Sequence, residues 1–345
     1  MRIHWPKTIS AGFILIALVL TACYSNLGLR GKNSLRAIEI PDGFPEINFP
    51  EDNTFTPERW TLGKKLFYDR ALSLDNTVSC SSCHQASLAF SDSVALSLGV
   101  NKLPGSQNAP TLANVAYHPY YTRLGGVSTL EKQILVPIQE HNEFNFNIIE
   151  IAKRLKTNVT YQELSRKAYN REMDYYVITR ALANFERSLI SGQSKYDMFK
   201  RNRNEKVLSE TELSGMELFF SKRTNCSACH SGFNFTNYQF ENNGLYETYK
   251  NMGRKRLTEK EEDLEKFKTP TLRNVSLTAP FMHDGSLKTL TEVIEHYNSG
   301  GKTNPRKSEL IKPLNLTENE KTNLLAFLST LTDYTFVKNP KFREK

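Results

Sequence analysis

The sequence predicts a mainly α-helical chain folded as two domains in tandem. Three observations predict it: apolar residues recur at helical spacing, no series of alternating strands interrupts them, and a Cys-x-x-Cys-His pentapeptide occurs once in each half. A length of 345 residues suits two domains of ordinary size.

The first element precedes both domains. Arg2 and Lys7 flank the start of an apolar run from Ile9 to Leu20, which ends in Leu20-Thr21-Ala22-Cys23. A charged start, a short apolar stretch and a small-residue end read as an export signal, and the stretch is short for a membrane span. Leu-Thr-Ala-Cys resembles a bacterial lipobox, which implies cleavage before Cys23 and lipidation of Cys23. Several acyl chains on one residue anchor a protein stably to a membrane. An ordinary secretory signal with an incidental cysteine is the other reading, and both export the chain to the periplasm. Tyr24 after Cys23 differs from the Asp that retains many lipoproteins at the inner membrane, so the outer membrane is expected. Residues 1–22 thus read as the signal peptide and 23–55 as a linker.

The first domain spans 56–195. Thr56-Pro57-Glu58 opens its first helix with a cap, a proline at the first helical position and an acid in the first turn. Tyr176 to Ile190 forms its closing helix, with Ile178, Leu182, Phe185 and Leu189 on one stripe. The second domain, 196–336, repeats the plan: Gly215 to Phe220 precedes its pentapeptide, and Glu318 to Leu331 closes it behind a Thr317-x-x-Glu320 capping box. The helix before each pentapeptide therefore looks like the amino-terminal helix of a cytochrome c fold, and two cytochrome c-like domains in tandem are expected. Loops rich in Gly, Pro, Asn and Ser, notably Ser91 to Thr111 and Phe233 to Lys250, lie between the helices. The junction is expected near Ser191 to Leu208, and residues 337–345 read as a C-terminal tail.

Cys80-Ser-Ser-Cys83-His84 and Cys226-Ser-Ala-Cys229-His230 use four of the five cysteines. Two thiols one helical turn apart can form thioethers to haem vinyl groups, and the adjoining imidazole then lies under the iron. A lone Cys-x-x-Cys would leave zinc or a disulfide open, but a His follows both times. Two covalently bound c-type haems are expected, with His84 and His230 as axial ligands. The formal charge of +8 includes Arg2 and Lys7 of the leader. The remaining excess is modest and gives no nucleic-acid signature. The mixed-sign run from Arg254 to Asp263 reads as a solvated loop or helix face.

The second axial position decides what a c-type haem does: filled, it transfers electrons; open, it binds peroxide or another small ligand. Between His84 and His118 there is no His or Met, so the first iron is expected to be open. Gln133, Glu140 and Glu143 follow beyond that loop. A carboxylate shielded by Pro137 and Phe144 could move the peroxide proton. Taken by spacing alone, these acids read instead as exposed residues of a helix end.

From Leu62 to Asp333 the chain resembles the bacterial di-haem cytochrome c peroxidases and the related di-haem enzyme of methylamine utilisation. The residues carrying this are Leu62-Gly-Lys-Lys-Leu-Phe-Tyr-Asp69, the two pentapeptides, Asn108-Ala-Pro-Thr111, Ala183-Asn-Phe-Glu-Arg187 and Thr269 to Gly285. The resemblance implies hydrogen peroxide as substrate and a small cytochrome c or copper protein as electron donor. It places Glu143 as the catalytic distal acid, with Gln133 and Pro137 as neighbours. Asn108, with the carbonyls of Thr278 and Pro280, matches a calcium site between the haems. His283 matches a His near the haem edge, suited to a propionate.

Three departures accompany the resemblance. Val100 stands where peroxidases that need reductive activation carry a plugging His. Tyr297 stands where they have a Met ligand to the second haem, as in the methylamine-utilisation enzyme. Phenolate is a hard donor that stabilises ferric iron. His296, Met282 and Met252 are its competitors, although His296 and Tyr297 cannot both face one iron from successive helical positions. Arg123 stands where the family has a Trp between the haems, leaving Tyr120 or Tyr121 to substitute. The functional expectation is a peroxidase. A di-haem oxidase of a protein or small molecule, or a non-enzymatic electron-transfer cytochrome, are the alternatives.

Overall fold

Helix starts follow the caps legible in the sequence. In the computed structural model, which describes Met1, residues 38–202 and residues 205–344, helix α1 (Pro57–Tyr68) begins as expected. The Thr56 hydroxyl accepts the Arg59 N–H at 3.2 Å, and Pro57 takes the first helical position. The leader, Cys23 and the first part of the linker lie outside the described residues. No helix among the described residues is long and apolar enough to cross a membrane.

The first half continues through α2 (Cys80–Cys83), α3 (Leu130–Gln133), α4 (Leu135–Gln139), α5 (Ile148–Lys156), α6 (Val159–Tyr169) and α7 (Tyr175–Arg187). The second half contains α8 (Lys195–Asn202), α9 (Glu210–Phe220), α10 (Cys226–Cys229), α11 (Lys255–Thr258), α12 (Leu290–Asn298), α13 (Glu318–Ser329) and α14 (Tyr334–Val337). The capping box of α13 is present: Thr317 and Glu320 satisfy each other's backbone N–H groups. Among the described residues, strands are confined to one short antiparallel pair, β1 (Phe240–Glu241) and β2 (Phe267–Lys268), with Phe240 opposite Lys268. Two residues per strand are too few for alternation to register in the sequence.

The internal repeat is a repeat of packing. Helix α1 crosses α7 at Gly63, where an added Cβ would stand 1.9 Å from the Ala181 carbonyl oxygen. Helix α9 crosses α13 at Gly215, where it would stand 1.9 Å from the Asn323 carbonyl oxygen. In both halves glycine lets two backbones touch. Leu62, Leu66, Phe67 and Phe185 are fully buried at the first crossing, each contributing ~2 kcal/mol by the area it removes from water.

A second level of repetition covers the segments between. Asn114 and Asn274 both adopt left-handed backbone at φ 61°. Each then accepts a backbone N–H on its Oδ1 at 2.8 Å, from Ser191 and Asp333 respectively. The Tyr121–Val127 and Phe281–Leu287 bridges follow, then Thr129 and Thr289 as caps of α3 and α12. The Asn114 and Asn274, Tyr121 and Phe281, and Thr129 and Thr289 pairs share one spacing along the chain.

The halves are not separate bodies, because residues Ile38–Lys345 form one compact unit. The expected junction holds helix α8, whose Asp197 forms a buried two-point ion pair with Arg273 at 2.8 and 2.9 Å. Asn114 donates to Asn234 Oδ1 at 3.0 Å across the halves, and Asp333 Oδ2 accepts from Gly192 and Gln193. The stretches read as linker and tail are packed as well. Phe44 lies 4.7 Å from the Phe233 ring, while Val337 and Phe342 join the first half's core around Phe90. Apolar residues in a terminal segment are buried wherever a core accepts them, so composition alone does not mark such a segment as a tail.

Candidate functional site

Each pentapeptide is a single helical turn that ends on its histidine. The His84 N–H donates to the Cys80 carbonyl at 3.0 Å and the His230 N–H to the Cys226 carbonyl at 2.9 Å. Ring orientation is fixed in the same way twice: His84 Nδ1 lies 2.8 Å from the Phe90 carbonyl and His230 Nδ1 3.1 Å from the Phe235 carbonyl. Phe90 and Phe235 have positive φ, 61° and 49°, which turns their carbonyls onto the rings. With Nδ1 donating, Nε2 is left as the ligand atom. Burial lowers both histidines, His230 to about 4, and so keeps them in the neutral, metal-binding form. Burial also raises the four thiols, Cys83 and Cys229 to about 11. No disulfide joins them, and no cluster of three His, Cys, Asp or Glu poised for a metal ion occurs among the described residues.

One continuous cavity of about 720 Å³ takes in both pentapeptides. Its walls are apolar with a few convergent polar groups, the chemistry of a cofactor pocket. Cys80, Cys83 and His84 line one end; Cys226, Cys229 and His230 line the other. The residues fit two c-type haems.

At the first end Glu143, Gln133 and Pro137 all line the cavity. Burial raises the Glu143 carboxyl to about 7, and Glu140 adds to the rise. Gln133 Oε1 is buried without a protein partner, so it is an acceptor awaiting a ligand. Val100 is fully buried in the core, its N–H donating to the Glu143 carbonyl at 2.8 Å. A methyl-bearing residue at 99 would collide with that same carbonyl, at 2.5 Å, so Gly99 permits the approach. Sequence reasoning missed Glu186, a second carboxyl lining this end, which burial raises to about 8. It belongs to the Ala183 to Arg187 motif, but only tertiary contacts place it on the cavity.

At the second end Tyr297 lines the cavity from α12, whereas His296 turns away to the Asn243 carbonyl at 3.0 Å. Asn243 Nδ2 lies 3.4 Å from the Tyr297 hydroxyl and 3.2 Å from Met282 Sδ. Met282 also lines the cavity; Met252 is exposed. By the repeat spacing, Tyr297 on α12 corresponds to Pro137 on α4. The position that presents a phenol at one end presents a side chain with no donor at the other.

His118, Tyr121, Arg123, Tyr238, Lys268 and His283 line the cavity as well. Tyr121 faces the cavity, while Tyr120 stacks outside it on Phe240, ring centres 5.2 Å apart. His118 Nε2 is buried without a partner, and its ring meets Tyr238 edge-on at 5.3 Å. Burial lowers His283 to about 4 and Lys268 to about 8. His283 stacks on Phe267 at 4.0 Å.

The residues expected to hold calcium do not fit that ion. Both Asn108 oxygens accept from Arg123: the backbone carbonyl from Nε and Oδ1 from Nη2, each at 2.9 Å. A divalent ion about 4 Å from a guanidinium would be repelled by roughly 8 kcal/mol at an effective dielectric of about 20.

The helices, the paired attachment turns and the shared cavity define a mainly helical protein shaped for two haems. Residues 57–206 match the family described as di-haem cytochrome c peroxidase. The chain is 35% identical to the methylamine utilization protein MauG of Methylorubrum extorquens, over 95% of this chain and 94% of that one. It is 32% identical to the cytochrome c551 peroxidase of Nitrosomonas europaea, over 79% of each. Among solved structures, a MauG-like protein associated with microbial copper homeostasis superposes with a TM-score of 0.84 and 33% identity, covering 88% of this chain and 98% of that chain. The chain belongs to the di-haem cytochrome c peroxidase family. Membership implies an oxidoreductase with two haems.

Proposed function

We propose that the protein is a di-haem c-type peroxidase that reduces hydrogen peroxide to water with electrons from an external periplasmic donor. The observation that carries this is the cavity end at Cys80 to His84. It combines a buried carboxyl at about 7 with Pro137, which offers no ligand atom, where the other end has Tyr297. A haem held by Cys80, Cys83 and His84 would supply the redox chemistry that splits the oxygen–oxygen bond. Glu143 takes the proton from the near peroxide oxygen and returns it to the departing one. Gln133 Oε1 accepts a hydrogen bond from the bound peroxide and orients it. Two electrons and two protons then convert one peroxide into two waters, the electrons coming from a small cytochrome c or copper protein. Cys226, Cys229, His230 and Tyr297 would hold a second haem, which would supply a redox partner for the first. The chain is exported and anchored through Cys23, at the periplasmic side of the outer membrane.

The test is to mix the oxidised holoprotein with one equivalent of peroxide and follow the haem absorption. A fast spectral change is expected, slowed by about 10²- to 10⁴-fold in Glu143→Gln. Slow bleaching alone, identical in both proteins, favours a pure electron-transfer cytochrome. A second reading, oxidation of a protein or small molecule near Tyr297, draws support from the 35% identity to the methylamine utilization protein. Failure of a reduced cytochrome c to be consumed, alongside a fast peroxide reaction, selects it.

A further inference from the structure

We propose that the Arg123 guanidinium is a built-in cation that takes the place of a calcium ion between the two haem sites, so that this protein holds its inter-haem geometry without calcium. The donor set has been turned to a different cation. Asn108 offers its carbonyl and Oδ1 in one direction, and Arg123 meets them with two parallel N–H donors at 2.9 Å. A planar fork suits two oxygens of one residue; a bare divalent ion would need several more oxygens around it. Two further hydrogen bonds fix Asn108 in this orientation. Its amide nitrogen donates to the Val94 carbonyl at 3.2 Å, and its backbone N–H donates to the His283 carbonyl at 2.9 Å. Arg123 is held as well, since its own carbonyl accepts from the Lys268 backbone N–H at 2.9 Å.

The chain Arg123–Asn108–His283 therefore links the loop of the first half to the segment of the second half that carries Met282 and His283. That is the joint a bridging metal would make. Asp284 favours the guanidinium charge, which persists at neutral pH although burial lowers the group to about 10. A covalently tethered cation is present at full occupancy whatever the free calcium concentration. Arg123 is on this account a positioning residue: it acts on the haems through Asn108 and His283.

The experiment uses the holoprotein. Metal analysis is expected to give well under one calcium per chain, and excess EGTA is expected to leave the haem absorption and EPR spectra unchanged. Arg123→Gln, which removes the charge and keeps much of the length, is expected to alter those spectra. Added calcium should restore them towards wild type, and Arg123→Lys should retain them in part. One tightly held calcium per chain in the wild type, or wild-type spectra that change with EGTA and recover with calcium, would overturn the proposal. If Arg123→Gln fails to fold, the two wild-type measurements still decide. A wild type that is calcium-free but shows no peroxide reaction leaves this inference standing and rejects the proposed function, so the two fail separately.

Discussion

Glu143 holds its proton up to about pH 7 because its carboxyl is buried in the cavity wall and Glu140 lies near. The sign follows directly. Below that pH the group is neutral and cannot accept a proton from peroxide; above it the carboxylate is present. The rate of the peroxide-induced spectral change should therefore rise with pH and level off past about 7. Glu143→Gln should flatten the profile as well as lower it, and a flat wild-type profile contradicts the base role. The same raised pKa ties stability to pH: the folded carboxyl keeps a proton that the unfolded one has lost, so the site favours folding most in acid and least above about pH 7. Tyr297 makes a separate prediction. If its phenol closes the second iron, Tyr297→Phe changes the absorption and EPR signals of the haem at Cys226 to His230, and an unchanged spectrum removes the assignment.

At the scale of elements, the two glycine crossings are the most sensitive points of the fold. Gly215→Ala would drive a methyl group to 1.9 Å from the Asn323 oxygen and 2.9 Å from Phe327 Cβ, both on α13. The helices must separate, at a cost of about 1–3 kcal/mol or more. Thermal unfolding monitored by circular dichroism should show a correspondingly lower midpoint, and no shift would mean that the two backbones do not touch there. Element ends are legible in the sequence because caps are local: Thr56, Pro57 and the Thr317 to Glu320 box each act within one turn. The attachment turns are legible for the same reason. What escapes depends on contacts between distant segments. Nothing local in Arg123 reveals that it meets Asn108, and nothing in Phe342 reveals that it enters the core around Phe90. Glu186 and Tyr238 join the cavity only through tertiary packing. The correspondence of Pro137 with Tyr297 is hidden too, since α3 and α4 are two short pieces where α12 is one helix.

For the whole molecule, the repeat builds two similar ends of one cavity and a single position makes them chemically unlike. Both ends fix a histidine by a carbonyl from a left-handed residue, and both carry two thiols on one turn. Tyr297 and Met282 line the second end and share the Asn243 amide, whereas Pro137 stands at the position of Tyr297 in the first. A small anionic ligand should read this asymmetry as stoichiometry. Cyanide titrated into the oxidised holoprotein is expected to bind one equivalent per chain, perturbing only the haem held by His84. Tyr297→Phe alone need not raise that number, because Met282 Sδ is the next donor within reach of the same amide. The double variant Tyr297→Phe with Met282→Leu removes both and should bind two equivalents. Two equivalents in the wild type would mean that neither donor closes the second iron. One equivalent in the double variant would mean that a different group does, and the asymmetry would then have to originate elsewhere than at the Pro137 and Tyr297 positions.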